Sequence, residues 1–245
     1  MKQVTLHIVT NTQLIQGIYE MKLEGDVGDT LRPGQFVNIA LDNLYLRHPF
    51  SISDYDTTSM TLLYKVVGKG TRQMSSMHKG QKISILNGLG NGFNTNIHHS
   101  HVLLAGGGIG IAPLYKLAKE LKTAGKKVSV ALCFNTAKEI FYVERFKELS
   151  TNTYIATVDG SEGCKGFITN LIQQYKLTFD YYYACGPMPM LKSMCQNIEA
   201  PGEVSLEARM GCGFGICMGC SIPTTSGNKR VCKEGPVFEK EELIW

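Results

Sequence analysis

The chain has 245 residues, of which 43% are hydrophobic and 19% charged, with a formal net charge of +4. That is ordinary globular material for one large or two medium domains, not a disordered chain. The small charge, with no Lys/Arg cluster interleaved with aromatics, excludes nucleic acid as an expected partner. No uncharged apolar run reaches spanning length, the nearest being Val102–Tyr115, so no membrane insertion is expected.

The N-terminus, MKQVTLHIVTNTQ, has no apolar core of a secretion signal. Four of the eight cysteines, Cys133, Cys164, Cys185 and Cys195, lie in apolar or turn contexts without paired spacing. Reduced thiols in a cytoplasmic protein account for them.

Residues 1–97 read as short strands between Gly, Pro and Asp turns: Val4–Val9, Gly17–Leu23, Gln35–Ala40, Pro49–Ser53, Met60–Val67 and Lys82–Leu86. A turn is expected at Gly25–Asp29 and a helix at Thr71–Met77. Such a pattern predicts an antiparallel barrel or sandwich. Two stretches in it carry chemistry. Arg47-His48-Pro49-Phe50-Ser51 joins basic, rigid, aromatic and hydroxyl residues that can grip a phosphate and a planar ring; the alternative is a solvated turn. Leu63-Tyr64-Lys65 leads to Gly68-Lys69-Gly70-Thr71, where glycines before a helix can turn N–H groups toward an anion. The alternative there is an ordinary loop and N-cap.

From residue 98 the texture changes to alternating strands and helices. Strands are expected at Val102–Ala105, Lys127–Cys133, Thr153–Val158 and Asp180–Ala184. Helices are expected after Leu114 to about Thr123, at Val143–Leu149, at Phe167–Tyr175 and at Met188–Asn197. This order predicts a parallel sheet with helices on both faces. His98, His99 and His101 could hold a metal, but with no Asp, Glu or Cys beside them they read as a linker.

Gly106-Gly107-Gly108-Ile109-Gly110 sits at a strand-to-helix turn, where dinucleotide phosphates are approached. Its spacing is not G-x-G-x-x-G, and no acidic residue ends the next strand at Cys133-Phe134-Asn135-Thr136. Cys185-Gly186-Pro187 ends another strand, again where ligands bind in open α/β sheets; a tight turn with Pro at the helix start is the alternative.

The last part, residues 206–245, contains GCGFGICMGC and a fourth cysteine. Cys212, Cys217, Cys220 and Cys232 are spaced C-x4-C-x2-C-x11-C. That is the plant-type spacing of a [2Fe–2S] cluster held by four thiolates. Zinc sites more often pair two C-x2-C units or add histidines, and disulfides need an oxidising compartment. The acidic stretch Glu239-Lys240-Glu241-Glu242 reads as a solvated helix face, and Trp245 as a packing anchor.

Taken in order, Arg/His-Pro-aromatic-Ser, Gly-x-Gly-Thr, GGGIGIAPL and CGP resemble the ferredoxin–NADP reductase superfamily. With the C-terminal cysteines added, the chain resembles the electron-transfer subunits of dihydroorotate dehydrogenase B. The resemblance implies an FAD-binding β-barrel domain over 1–97, an NAD-binding α/β domain over 98–205 and a [2Fe–2S] domain over 206–245.

It also implies roles. His48, Pro49, Phe50 and Ser51 would meet the flavin ring and phosphate; Leu63, Tyr64 and Lys65 would line it; Gly70 and Thr71 would hold its pyrophosphate. Gly106, Gly107, Gly108 and Gly110 would frame NAD together with Cys185, Gly186 and Pro187, Cys185 lying near nicotinamide and flavin. The family commonly has Arg at the position of His48, with another Arg before it, so the phosphate contact would fall to His48, to Arg47 or to a backbone donor.

The partner implied is an FMN-containing catalytic subunit that oxidises dihydroorotate, in a heterotetramer of two of each. Electrons would run from that FMN through the cluster and FAD to NAD+. The alternative is an NAD(P)H-dependent flavin/iron–sulfur subunit of a sulfide or ferredoxin:NADP oxidoreductase.

Overall fold

The architecture is described from a computed structural model covering residues 1–28 and 31–245. Six antiparallel strands close a barrel: β1 (Lys2–Ile15), β2 (Ile18–Glu24), β3 (Phe36–Ile39), β4 (His48–Tyr55), β5 (Ser59–Lys65) and β6 (Lys82–Leu89). Their order round the barrel is β1-β2-β5-β4-β3-β6. Period-two alternation makes this work. Along β1, Val4, Leu6 and Ile8 point inward while Gln3, Thr5 and His7 face out, as one-sided burial requires. A single helix, α1 (Lys69–Ser75), follows β5, two residues earlier than the sequence suggests because Gly68 already serves as its N-cap.

The first strand is longer than its apolar pattern. Thr10–Gln13 is polar yet continues β1 because it pairs with β2 across a tight hairpin. The turn expected at Gly25–Asp29 is described as far as Gly28; Asp29 lies outside the described residues.

The second layer is a seven-stranded sheet. Its strands are β7 (His101–Gly107), β8 (Lys127–Phe134), β9 (Asn152–Thr157), β10 (Cys164–Lys165), β11 (Tyr181–Cys185), β12 (Gly202–Ser205) and β15 (Val237–Glu239), in the order β10-β9-β8-β7-β11-β12-β15. All neighbours are parallel except β12 and β15. Strands buried on both faces read as continuous apolar runs. Val102 and Leu104 join the core under α2 (Ala112–Thr123) and α3 (Val143–Lys147). Leu103 and Ala105 join the opposite core under α4 (Ile168–Gln174) and α5 (Met188–Asn197).

A hairpin, β13 (Ser221–Thr224) with β14 (Gly227–Arg230), carries the C-terminal cysteine region. Its core residues Cys220, Val231 and Cys232 are continuous with the α4/α5 face and with Phe36 and Leu89 of the barrel. The acidic tail is a short 3₁₀ turn, not a solvated helix. Lys240 donates to the carbonyls of Ile198 and Glu199, Glu242 pairs with Lys229, and Trp245 packs into the same core.

Candidate functional site

The structure brings the two barrel stretches together. His48 opens β4, and its imidazole lies against Gly70: a Cβ on Gly70 would stand 2.6 Å from His48 Nε2. Beside it, Thr71 Oγ1 accepts from the N–H groups of Val67 and Gly68 at 2.9 and 3.1 Å and donates to the Gly68 carbonyl. His48 Nδ1 is buried and has no partner. A buried polar atom normally has one, so this corner, with its glycine cradle, suits a polar ligand.

Arg47 turns elsewhere. Its guanidinium donates to the carbonyls of Asn38 and Ser84 and to Ser84 Oγ, at 3.4, 3.2 and 3.3 Å.

Along β4, Phe50 and Ser51 are half-buried and Pro49 is exposed. Phe50 meets Tyr64 edge-on, 6.1 Å between centroids. Tyr64 is fully buried, stacks on Tyr19 and donates to Asn11 Oδ1 at 2.8 Å; burial pushes its phenol up. Leu63 is buried with Ile18 and Ile111 in the apolar seam between barrel and sheet, whereas Lys65 is exposed. The tyrosine, leucine and lysine therefore face three different environments.

The second pair of motifs also meets. Gly106 and Gly107 end β7, Gly108–Ile111 forms a 3₁₀ turn, and α2 begins at Ala112 with Pro113 in its first turn. A Cβ on Gly107 would lie 2.8 Å from Met190 Sδ and from Pro187 Cδ; one on Gly110 would lie 2.6 Å from the Cys185 carbonyl oxygen. Only glycine permits this approach. Both motifs sit at the carboxyl ends of adjacent parallel strands, with Cys185 opposite Gly106, the position where open α/β sheets bind ligands. Burial pushes the Cys185 thiol up to about 12, against the Ser205 hydrogen bond and with the nearby Glu207 charge. It is a neutral thiol at physiological pH. Ser205 and Glu207 lack a motif of their own; their signal is the end of strand β12, beside Cys185.

The four C-terminal thiols form two pairs. The N–H groups of Ile216 and Cys217 donate to Cys212 Sγ at 3.3 and 3.4 Å, and that of Cys212 to Cys217 Sγ at 3.4 Å. In the second pair, Cys232 N–H donates to Cys220 Sγ at 3.4 Å. Burial raises the Cys212 thiol's pKa, but the N–H groups of Cys217, Phe214 and Ile216 outweigh it and hold it at about 6. Burial, then the neighbouring Cys220 sulfur, pushes Cys232 up to about 12.

Among the described residues, no three His, Cys, Asp or Glu side chains converge as a single-metal site. Each iron of a [2Fe–2S] centre takes two thiolates, and two pairs ringed by N–H donors suit that group. The loop's outer residues Ile216 and Met218 are 76% and 53% exposed. The linker histidines separate: His99 stacks on Tyr181, and His101 Nε2 lies 2.9 Å from Ser129 Oγ.

Comparison with known proteins bears on both halves of the site. Residues 207–244 match the family model of the iron–sulfur cluster binding domain of dihydroorotate dehydrogenase B, and residues 104–196 that of the oxidoreductase NAD-binding domain. The chain is 41% identical to the dihydroorotate dehydrogenase B (NAD(+)) electron transfer subunit of Bacillus pumilus, over 99% of this chain and 98% of the relative. To that of Fusobacterium nucleatum it is 40% identical over 93% of each.

Among solved structures, an NADH-dependent reduced ferredoxin-NADP oxidoreductase studied for flavin-based electron bifurcation superposes with a TM-score of 0.88 at 31% identity, over 98% of this chain and 90% of the other. A ferredoxin NADP+ reductase from Neisseria gonorrhoeae shares the fold at 16% identity, with a TM-score of 0.68 over 80% and 90% of the two chains.

Proposed function

We infer the function from one premise: this chain belongs to the family of dihydroorotate dehydrogenase B (NAD(+)) electron transfer subunits. It is an oxidoreductase subunit with FAD, a [2Fe–2S] cluster and NAD as co-substrate, and it carries electrons from a catalytic partner to NAD+. The observation that carries the reading is the paired set of four thiols at the end of a full-length match. FAD, when bound, would supply both hydride exchange with NAD and one-electron exchange with a cluster.

The chain's own residues divide the work. The His48–Gly70–Thr71 corner binds the FAD phosphates, with His48 Nδ1 free for it and Arg47 occupied in bracing β3 against β6. Phe50 and Ser51 border the flavin ring, and Tyr64 backs Phe50 from the core. Gly106–Gly110 with Cys185–Pro187 receives the nicotinamide nucleotide. Cys185 stays a thiol and orders the ring; hydride transfer asks no proton of it. Cys212, Cys217, Cys220 and Cys232 would hold the cluster.

The three functional units are residues 1–97, 98–205 and 206–245. The last of them lends β15 to the sheet of the second. The partner is an FMN-containing subunit that oxidises dihydroorotate, assembled two of each in the cytoplasm. The exposed Ile216 and Met218 are the docking edge, since apolar side chains rimming a redox centre mark an interface.

The test is purification with the native partner. A yellow-brown complex with about two irons per chain should form NADH from dihydroorotate and NAD+. A loaded complex that forms none overturns the reading. The whole-length likeness to the ferredoxin-NADP oxidoreductase structure supports one rival, for which the same preparation would instead oxidise reduced ferredoxin.

A further inference from the structure

Asn38 occupies an unusual position. It lies on β3, its side chain points out of the barrel, and it is 1% exposed. Its Nδ2 donates to the Cys212 carbonyl at 3.1 Å. Its neighbours Val37 and Ile39 belong to the barrel core, so alternation aims Asn38 at the cluster loop.

The loop is shaped to receive it. Gly213 has φ +74°, and a Cβ there would stand 2.0 Å from Asn38 Nδ2. No side chain fits at that position. The amide cannot be turned round, because its oxygen would then face the Cys212 carbonyl. Oδ1 is therefore left buried with no donor. Such a group is costly to leave unpaired, so a residue chosen for packing alone would be apolar.

On its other side, Asn38 is the register partner of Pro49 in β4, and its own carbonyl accepts from Arg47. One residue thus touches the backbone of the first cluster cysteine and belongs to the strand pair that carries His48, Pro49, Phe50 and Ser51. No other direct side-chain hydrogen bond joins the barrel strands to the Cys212–Cys220 loop among the described residues.

We propose that Asn38 is a positioning residue for electron transfer, a hydrogen-bonded strut that fixes the Cys212 side of the cluster relative to the flavin strand. The proposal rests on the reading that the barrel holds FAD and the thiols a cluster. In the reverse reaction two electrons enter with a hydride from NADH and leave the flavin one at a time through the cluster. The first step does not involve Asn38; the second depends on the spacing it sets.

The experiment uses the holocomplex and the variants Asn38→Leu and Asn38→Ser. Leucine keeps the number and branching of the side-chain heavy atoms and removes both polar ones; serine keeps a shorter donor. Rapid mixing with NADH reads flavin bleaching, and freeze-quenched electron paramagnetic resonance reads cluster reduction and its g-values. A redox titration of the same signal reads the cluster's midpoint potential.

The expected result is unchanged flavin reduction, with cluster reduction slowed by about tenfold or more, the scale of small misplacements, and shifted g-values or potential. Cluster reduction at the wild-type rate with wild-type g-values in both variants overturns the proposal. So does an equal fall in both steps, which would mean general damage. A wild-type complex without flavin or iron would instead sink the functional reading beneath it.

Discussion

Where the barrel meets the parallel sheet, charged side chains surround the contact; where it meets the cluster region, amides and backbone make it. At the sheet seam, Ile18, Leu63 and Phe93 pack with Ile111 and Leu114. Around them Glu20 takes Arg145 Nη1 at 2.6 Å and also the Tyr142 hydroxyl, and Asp54 takes Lys119 at 2.7 Å. Tyr55 donates to Glu120, and Glu203 accepts from the Asn94 N–H in the linker.

At the cluster seam, Asn38 reaches Cys212. Asn91 Nδ2 donates to the carbonyls of Glu234 and Val237, its Oδ1 accepts from Val237 N–H, and Phe36 and Leu89 pack with Val231 and Phe238. The first seam responds to pH and salt. The second depends on neutral groups and on register. Medium conditions can thus loosen the nucleotide side while the cluster stays fixed to the flavin strand.

The largest effect should come from cutting the cluster itself. In Cys232→Ser the iron content should fall from about two per chain to near zero, while FAD stays bound because none of its expected contacts lies there. Iron assay and the visible spectrum check this. Retention of both irons would show that Cys232 is not a ligand.

The next effect is on pH. Burial raises the Glu203 carboxyl to about 7, against the Asn94 N–H and with Glu239 repelling. Below pH 4.5 folded and unfolded chains both hold its proton. From there to pH 7 the folded chain holds more, so stability falls as pH rises, and above pH 7 the loss is complete. At about 1.4 kcal/mol per unit, the wild type gives up about 3 kcal/mol that Glu203→Gln keeps. Urea midpoints of the two should converge near pH 4.5 and diverge by pH 8. Parallel curves would mean that the carboxyl ionises freely in the fold.

Arg145→Ala comes third. It leaves Glu20, 7% exposed, with the Tyr142 hydroxyl and with Lys22 at 3.7 Å. Stranding a buried charge costs several kcal/mol, but Arg145 is 40% exposed. Water and Tyr142 therefore hold the loss to about 1–2 kcal/mol, read as a lower urea midpoint. An unchanged midpoint would mean that Tyr142 and Lys22 satisfy Glu20 without it.

These seams mark what the sequence could show. The barrel, the parallel sheet and the cysteine spacing were legible because each rests on local period: alternation in β1, apolar runs in β7 and β8, and fixed gaps between thiols. The meeting of His48 with Gly70, and of Gly107 with Pro187, joins residues far apart in the chain and has no local signal. Asn38 looked like one polar residue inside QFVNIA. Only its position opposite Cys212, 174 residues away, gives it a role. Strand β15 was missed for a related reason: Val237–Glu239 is too short to show a period and exists because β12 offers an edge.

The smallest effect tests the contrast most directly. Lys119 and Asp54 form a pair 40% and 23% exposed, and Lys116 remains 3.8 Å from Asp54 when Lys119 is gone. Lys119→Met should therefore cost only about 0.5 kcal/mol. In 1 M salt, where the screening length falls to about 3 Å, that difference should shrink. Asn91→Ala on the other seam removes neutral hydrogen bonds to Glu234 and Val237. Its cost, about 1 kcal/mol per bond, should be the same at low and high salt. Equal salt responses in the two variants would mean that charge does not distinguish the seams.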